Sequence, residues 1–273
     1  MTAWTELTDD GRVSQPSALA SVEELGGRLV VRLAGGLAFD VLPERGLDLG
    51  ATWWGSTPLA WRSPNPVDPG PGRGWEERFL GGLLATCGPD NIGEPRGSSG
   101  QHGTHHLTPA TEVRWSRERV GAAWQVCVTG TVAHTSLGGP RILVERSIVA
   151  STGTASVEVR DVVRNVGDEP VGVPLLYHVN LGAPLLRPGA RTAHRHVLGD
   201  HEHPSVVVTW TGDTLPRLCT WSWPASGAYV LGVEPTNAPL FGPERDLPHA
   251  GAPILEPGAT WRTGVRISVE GAS

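Results

Sequence analysis

Turn-forming residues interrupt this chain too often for long helices: 36 Gly and 24 Pro are spread along 273 residues, and either type is costly inside a helix. An α-helical bundle is excluded. Between the interruptions the apolar pattern has a period of two. Leu29, Val31 and Leu33 alternate with Val30, Arg32 and Ala34, and the same texture returns over 111–115, 123–132, 142–150, 156–163, 206–210 and 262–269. These segments read as half-buried strands. Turn signals such as Ala34-Gly35-Gly36, Ser151-Thr152-Gly153, Asn165-Val166-Gly167-Asp168 and Glu256-Pro257-Gly258 separate them. Such short connections favour antiparallel hairpins and meanders over βαβ crossovers. An all-β sandwich or barrel follows, and with no repeat or compositional break in the chain, a single domain over 1–273 is expected. The least strand-like section, 63–103, mixes Pro and Gly with aromatic and polar residues. A long structured loop is expected there, and such loops usually carry function.

Charge narrows the partners. The 22 basic side chains are all Arg, 28 acids oppose them, and the net charge of −6 is not gathered into blocks. Nucleic acid and anionic membrane are therefore not expected as partners. The N-terminus, MTAWTELTDDGR, is polar and acidic, and no apolar run reaches the roughly 18 residues of a membrane span. A soluble cytoplasmic protein is the expectation. Cys87, Cys127 and Cys219 are odd in number without C-x-x-C spacing, which suggests buried thiols rather than disulfides or a thiolate metal site.

The ten His are unevenly spread, with three in 102–106, one at 178 and four in 194–203. His178 ends an apolar stretch, 171–179, just before the turn Gly182-Ala183-Pro184, which sets a titratable ring beside a loop. Glu234 ends another apolar stretch, 228–233, just before Pro235. A carboxylate there is costly unless paired, and partial desolvation raises its pKa toward that of a useful base. The plain alternative is a carboxylate that caps the turn.

Several strings occur in order: Pro43-Glu44-Arg45-Gly46-Leu47-Asp48; Gly81-Gly82-Leu83-Leu84-Ala85-Thr86-Cys87-Gly88; His102-Gly103 with Pro109-Ala110; Tyr177-His178-Val179-Asn180-Leu181-Gly182 with Pro184-Leu185-Leu186; and Gly232-Val233-Glu234-Pro235-Thr236. Together, from about Arg28 to about Val269, the chain resembles the aldose 1-epimerase-like proteins of the DUF4432 family, a branch of the galactose mutarotase superfamily. The resemblance implies a β-supersandwich of two large antiparallel sheets with a sugar-sized cleft on a concave face. It also implies a mutarotase chemistry in which a Glu takes the anomeric proton, a His protonates the ring oxygen and a second His polarises the sugar. By motif position these are Glu234, His178 and His102.

Ring opening requires one proton removed and another delivered at neighbouring oxygens, so an acid and a base suffice and neither a redox cofactor nor an obligatory metal is implied. The expected partner is a small carbohydrate, with Arg45, Trp75, Asn91 and Asn180 as substrate-binding candidates and Trp53, Trp54 and Trp61 as further aromatic platforms. Two departures stand out. Family members commonly read His-Gly-Arg where this chain has His102-Gly103-Thr104. Sugar-phosphate relatives carry Arg before the Gly-Gly where this chain has Leu80, which points to an unphosphorylated sugar, although Arg78 and Arg96 are near.

Other readings remain open. His194/His196 and His201/His203 have the i, i+2 spacing of chelating pairs, with Asp200 and Glu202 beside them, and His102, His178 and Glu234 together are a second candidate metal set. A metal-dependent epimerase or isomerase acting next to a carbonyl is therefore one alternative. A sugar-binding protein without turnover is the other. Large exposed sheets in such folds often form dimers, so a homodimer is allowed.

Overall fold

The computed structural model describes residues 19–186, 191–193, 196–198, 204–226 and 229–270. Among these, alternation does what the sequence asks of it. In the strand Arg141–Ser151, every second residue (Ile142, Val144, Arg146, Ile148, Ala150) is buried and the others are half-exposed, the signature of a strand with one face on a core.

Such strands build two antiparallel sheets. One has nine strands. Its main path runs Ala20–Leu25, Arg28–Leu33, Leu37–Leu42, Asp48–Trp54, Leu84–Cys87, Leu176–Gly182, Val230–Thr236, Arg217–Trp223. The other has eight, in the order Arg191–Ala193, His196–Leu198, Ser205–Trp210, Thr260–Glu270, Ser156–Asn165, Arg141–Ser151, Ala123–Thr135, Ala110–Val120. Phe39, Leu49, Tyr177, Val179 and Val233 of the first meet Val128, Ile148, Val159, Val208 and Ile267 of the second in one apolar cluster. Each fully buried Leu, Val or Phe contributes about 1.5–3 kcal/mol. The all-β supersandwich read from the sequence is the fold.

One group in that interface is charged. Arg146, wholly buried, donates through Nε and Nη2 to both carboxylate oxygens of Asp161 (2.8 and 2.7 Å), through Nη1 to Asp48 (2.7 Å) and through Nη2 to the Thr86 hydroxyl (2.9 Å). The Tyr177 hydroxyl adds 2.6 Å to Asp161. Arg146 and Asp161 belong to the eight-stranded sheet, while Asp48, Thr86 and Tyr177 belong to the other, so the network staples the two layers. Burial pushes the Asp48 carboxyl up, and Arg146 and Thr86 oppose that.

Three local expectations need correction. The apolar stretch 171–179 is not one strand. Pro174 interrupts it, Val171–Gly172 pairs with Ile254–Leu255, and the sheet strand begins at Leu176. His178 therefore lies near that strand's start rather than at its end. Glu234 is likewise inside its strand, which runs on through Pro235 to Thr236. Finally, the expected loop 63–103 contains a central strand, Leu84–Cys87, buried on both faces. Four residues between Gly-rich turns are too few to display a period.

Candidate active site

The strands that carry His178 and Glu234 are neighbours. Tyr177, Val179 and Leu181 face the core with Leu231 and Val233, so alternation sends His178, Asn180, Gly232 and Glu234 to the outer face. Pairing joins Leu176 to Thr236 and Val179 to Val233, and the ladder opens between them where Pro235 has no N–H to give. In that register His178 and Glu234 stand opposite each other across the gap. His178 Nε2 lies 3.2 Å from Glu234 Oε1, with side chains only 3% and 4% exposed. The contact lacks hydrogen-bond alignment. Glu234 Oε1, His178 Nδ1 and Asn180 Oδ1 are all buried without a hydrogen-bond partner, an arrangement that is costly unless a ligand supplies one.

Burial acts on the pair in opposite senses, because it disfavours charge on either group. It pushes the Glu234 carboxyl up to about 7. It pulls the His178 imidazole down to about 4, and Asn180 and the His178 carbonyl offset only part of that.

The outer face is covered by the 63–108 segment, which brings Trp75 and His102. Trp75 opens a one-turn helix, Trp75–Arg78, and its ring lies 4.4 Å from that of His102 and 4.6 Å from that of His106. His102 has φ +62, a left-handed conformation uncommon for a residue with a Cβ. It is fixed there because its N–H donates to Gly93 (2.8 Å) and its carbonyl accepts from Gly88 (3.0 Å). The His102 ring stands 5.8 Å from that of His178, and burial, with His178 and Arg245 nearby, brings its pKa down to about 3. A hollow of about 300 Å³ results, lined among others by Trp75, His102, His178, Trp221, Glu234 and Phe241.

The remaining expected residues divide. Asn180 shares the outer face with His178 but is not among the residues that line the hollow; it is fully buried and donates from Nδ2 to the His178 carbonyl at 2.9 Å. Asn91 is buried but committed to its own loop: it donates to Glu94 and Gly100 (2.8 Å each) and accepts from Arg245 (3.2 Å). Arg45 lies outside the hollow, 3.4 Å from Asp68 and in reach of the Arg78 carbonyl. Arg78 is held by the same Asp68 at 2.9 Å, and Arg96 donates to the Leu247 carbonyl. Thr104, where the family commonly has Arg, is a loop staple whose N–H and hydroxyl both donate to Asp90 at 2.9 Å.

Two residues were not singled out from sequence. His106 is buried with Nδ1 unpartnered, and burial, with Arg45 and His102 nearby, brings it down to about 3. Trp221 sits opposite Gly232 in the ladder, its ring 5.6 Å from that of His178. The signal was there in Cys219, Trp221 and Trp223, a period-two row on one strand face. His194 and His201–His203 lie outside the described residues. Among the described residues, no group of three or more His, Cys, Asp and Glu side chains is arranged to hold a metal ion, and no helix is long and apolar enough to cross a membrane.

Gly232 makes the His178–Glu234 contact sterically possible. A Cβ there meets Glu234 Oε1 at 2.5 Å and His178 Cε1 at 2.9 Å. Gly232→Ala is therefore expected to spread the pair and shrink the hollow, costing about 1–3 kcal/mol by overpacking. A crystal structure of the variant with the 3.2 Å contact unchanged would contradict this.

No curated protein matches this sequence significantly. Solved structures do match. A candidate aldose 1-epimerase from Klebsiella pneumoniae superposes with a TM-score of 0.76 at 19% identity, covering 92% of this chain and 82% of that one. A galactose mutarotase-like protein from Clostridium acetobutylicum gives 0.60 at 13%, covering 93% and 98%. A candidate aldose 1-epimerase from Escherichia coli K12 gives 0.56 at 15%, covering 92% and 99%. At these identities the likeness is one of fold. The model of DUF4432, a domain of unknown function, matches residues 26–198 and 191–269, nearly the whole chain, and the protein therefore belongs to the DUF4432 family.

Proposed function

We propose that this protein interconverts the anomers of an unphosphorylated aldose by opening and reclosing its ring, with Glu234 as base, His178 as acid and His102 as the polarising group. The observation that carries the reading is the buried 3.2 Å approach of His178 Nε2 to Glu234 Oε1. Anomeric and ring oxygens share one carbon, so a base and an acid this close can address both at once. In the opening step Glu234 takes the O1 proton, His178 gives its proton to O5, the C1–O5 bond breaks and C1=O1 forms. Rotation about C1–C2 and the reverse transfers close the ring on either face. The Klebsiella and E. coli proteins, described as candidate aldose 1-epimerases, agree with this class.

Only one proton has to be held between the two groups. The form that opens a closed sugar has it on His178 opposite ionised Glu234, the less populated arrangement of the pair. With an open sugar both groups are neutral, the state that burial favours. The absence of a phosphate partner supports an uncharged sugar: among the described residues, the hollow's lining includes no Arg.

The pH dependence follows. With Glu234 up at about 7 and His178 down at about 4, the pair holds one proton between those values, gains a second below and loses its last above. Exchange NMR on free aldoses, corrected for the spontaneous rate, is expected to show a maximum in that window and a decline above about pH 7. A rate that still climbs at pH 9 would overturn the assignment. Solvent deuterium at a carbon-bound position would instead indicate enolisation next to a carbonyl, because ring opening exchanges hydroxyl protons only. Stoichiometric metal in untagged protein would favour the metal-dependent alternative.

A further inference from the structure

His102 sits in a backbone conformation that a residue with a Cβ does not hold unaided, and the structure shows what holds it. Its N–H donates to the Gly93 carbonyl at 2.8 Å, so the imidazole goes where the 91–94 turn goes. That turn packs against the segment that follows the Glu234 strand. Ile92 shares a buried apolar cluster with Leu240, and a Cβ on Gly93, at φ +71, meets Leu240 Cδ2 at 2.7 Å.

Apolar contact sets how near the turn lies but not how it is oriented. Orientation comes from Arg245, in the one-turn 3₁₀ helix Pro243–Asp246. Its Nη2 donates to Asn91 Oδ1 (3.2 Å), to the Ile92 carbonyl (3.1 Å) and closely to the Glu94 carbonyl. One terminal nitrogen thus gathers acceptors from both sides of Gly93. Asn91 ties the turn to the rest of its loop, donating to the Glu94 and Gly100 carbonyls. The loop answers with Arg96, whose Nη2 donates to the Leu247 carbonyl at 3.1 Å. Two arginines therefore clasp loop and helix from opposite directions. The clasp joins segments that both line the hollow, Gly93 and His102 from the one, Leu240 and Phe241 from the other.

The clasp has a cost, since Arg245 Nε is buried without a hydrogen-bond partner. An apolar side chain in its place would avoid that cost but would leave the three acceptors of the turn unanswered. The guanidinium is also among the charges that keep His102 neutral. We infer that Arg245 is a positioning residue for His102: by fixing the 91–94 turn it aims the imidazole at the hollow and couples the polarising group's loop to the base's strand. The inference rests on the proposed function for what His102 does there, not for where it stands.

A double-mutant cycle read by exchange NMR tests it. Arg245→Met is expected to cut anomer exchange about tenfold, mainly in kcat and with KM within about threefold, because polarisation by His102 acts in the transition state. In a His102→Gln background the same change should cost less than about twofold, as for residues that act through one another. The contact is made through Nη2 alone, so the ammonium of Arg245→Lys can serve, and that variant should recover to within about threefold of wild type. Arg245→Gln takes the place of Arg245→Met in the cycle if thermal unfolding shows the latter misfolded. In sugar-free protein the His102 imidazole ¹⁵N signals, assigned by their loss in His102→Gln, should shift in Arg245→Met or Arg245→Gln and return in Arg245→Lys. Equal loss of exchange in both backgrounds, or unmoved His102 signals, overturns the inference. If wild type exchanges no aldose anomers, the ring-opening reading falls, and the His102 signals alone decide whether Arg245 positions the ring.

Discussion

Glu234→Gln is expected to lower enzyme-dependent anomer exchange by roughly 10²- to 10⁴-fold, the usual contribution of a positioned acid–base group. The amide keeps the carboxylate's shape but cannot take a proton, so the side chain still fills its place between Gly232 and His178. His178→Gln should lose a comparable factor. The double variant should lose little beyond either single one, because the two residues hand one proton back and forth and act as a unit. The checks are exchange NMR for rate and thermal unfolding for fold. Full exchange in Glu234→Gln would remove the base from the mechanism. Sugar binding without exchange in the wild type would make the protein a binder.

The largest expected effect on stability comes from Arg146→Met, about 3–5 kcal/mol, the cost of breaking a buried charge network by removing one partner. Arg146 is the cation between Asp48 and Asp161, and its loss leaves two buried carboxylates without their countercharge and the Thr86 hydroxyl without the Arg146 donor, while Tyr177 keeps its bond to Asp161. Domains have only about 5–15 kcal/mol to lose, so the variant should unfold at much lower urea. Adding Asp48→Asn and Asp161→Asn should recover a substantial part, because the penalty lies in uncompensated charge rather than lost volume. Urea unfolding of all three forms decides it, and a single variant within about 1 kcal/mol of wild type would mean that the network contributes little.

Much of this was legible beforehand, for physical reasons that can be named. The sandwich was readable because most of its strands are long enough to show a period of two, as Arg141–Ser151 and Ser156–Asn165 do. Leu84–Cys87 was hidden because it is short and buried on both faces. His178 and Glu234 drew notice as titratable groups amid apolar runs, but their facing each other depends on strand pairing, which one sequence does not specify. Arg45 lies in a motif string and Asn91 in the long loop segment, yet neither placement says where a side chain points, and both are engaged by their own neighbours rather than lining the hollow. The Arg146 network had a visible signal. Arg146 interrupts the inward row Ile142, Val144, Ile148, and Asp161 interrupts Val157, Val159, Val163. Opposite charges at matching inward positions of adjacent strands announce a buried pair.

The imidazoles that surround the hollow have a kinetic corollary. With His102, His106 and His178 held at about 3, 3 and 4 and Glu234 protonated below about 7, these four buried side chains carry no net charge in mildly acidic solution. A polyol diffusing toward them is neither steered nor screened, so dissolved electrolyte has little purchase on capture. Selectivity is then exercised only at van der Waals range, by the fit of rings and hydroxyls against indole and amide.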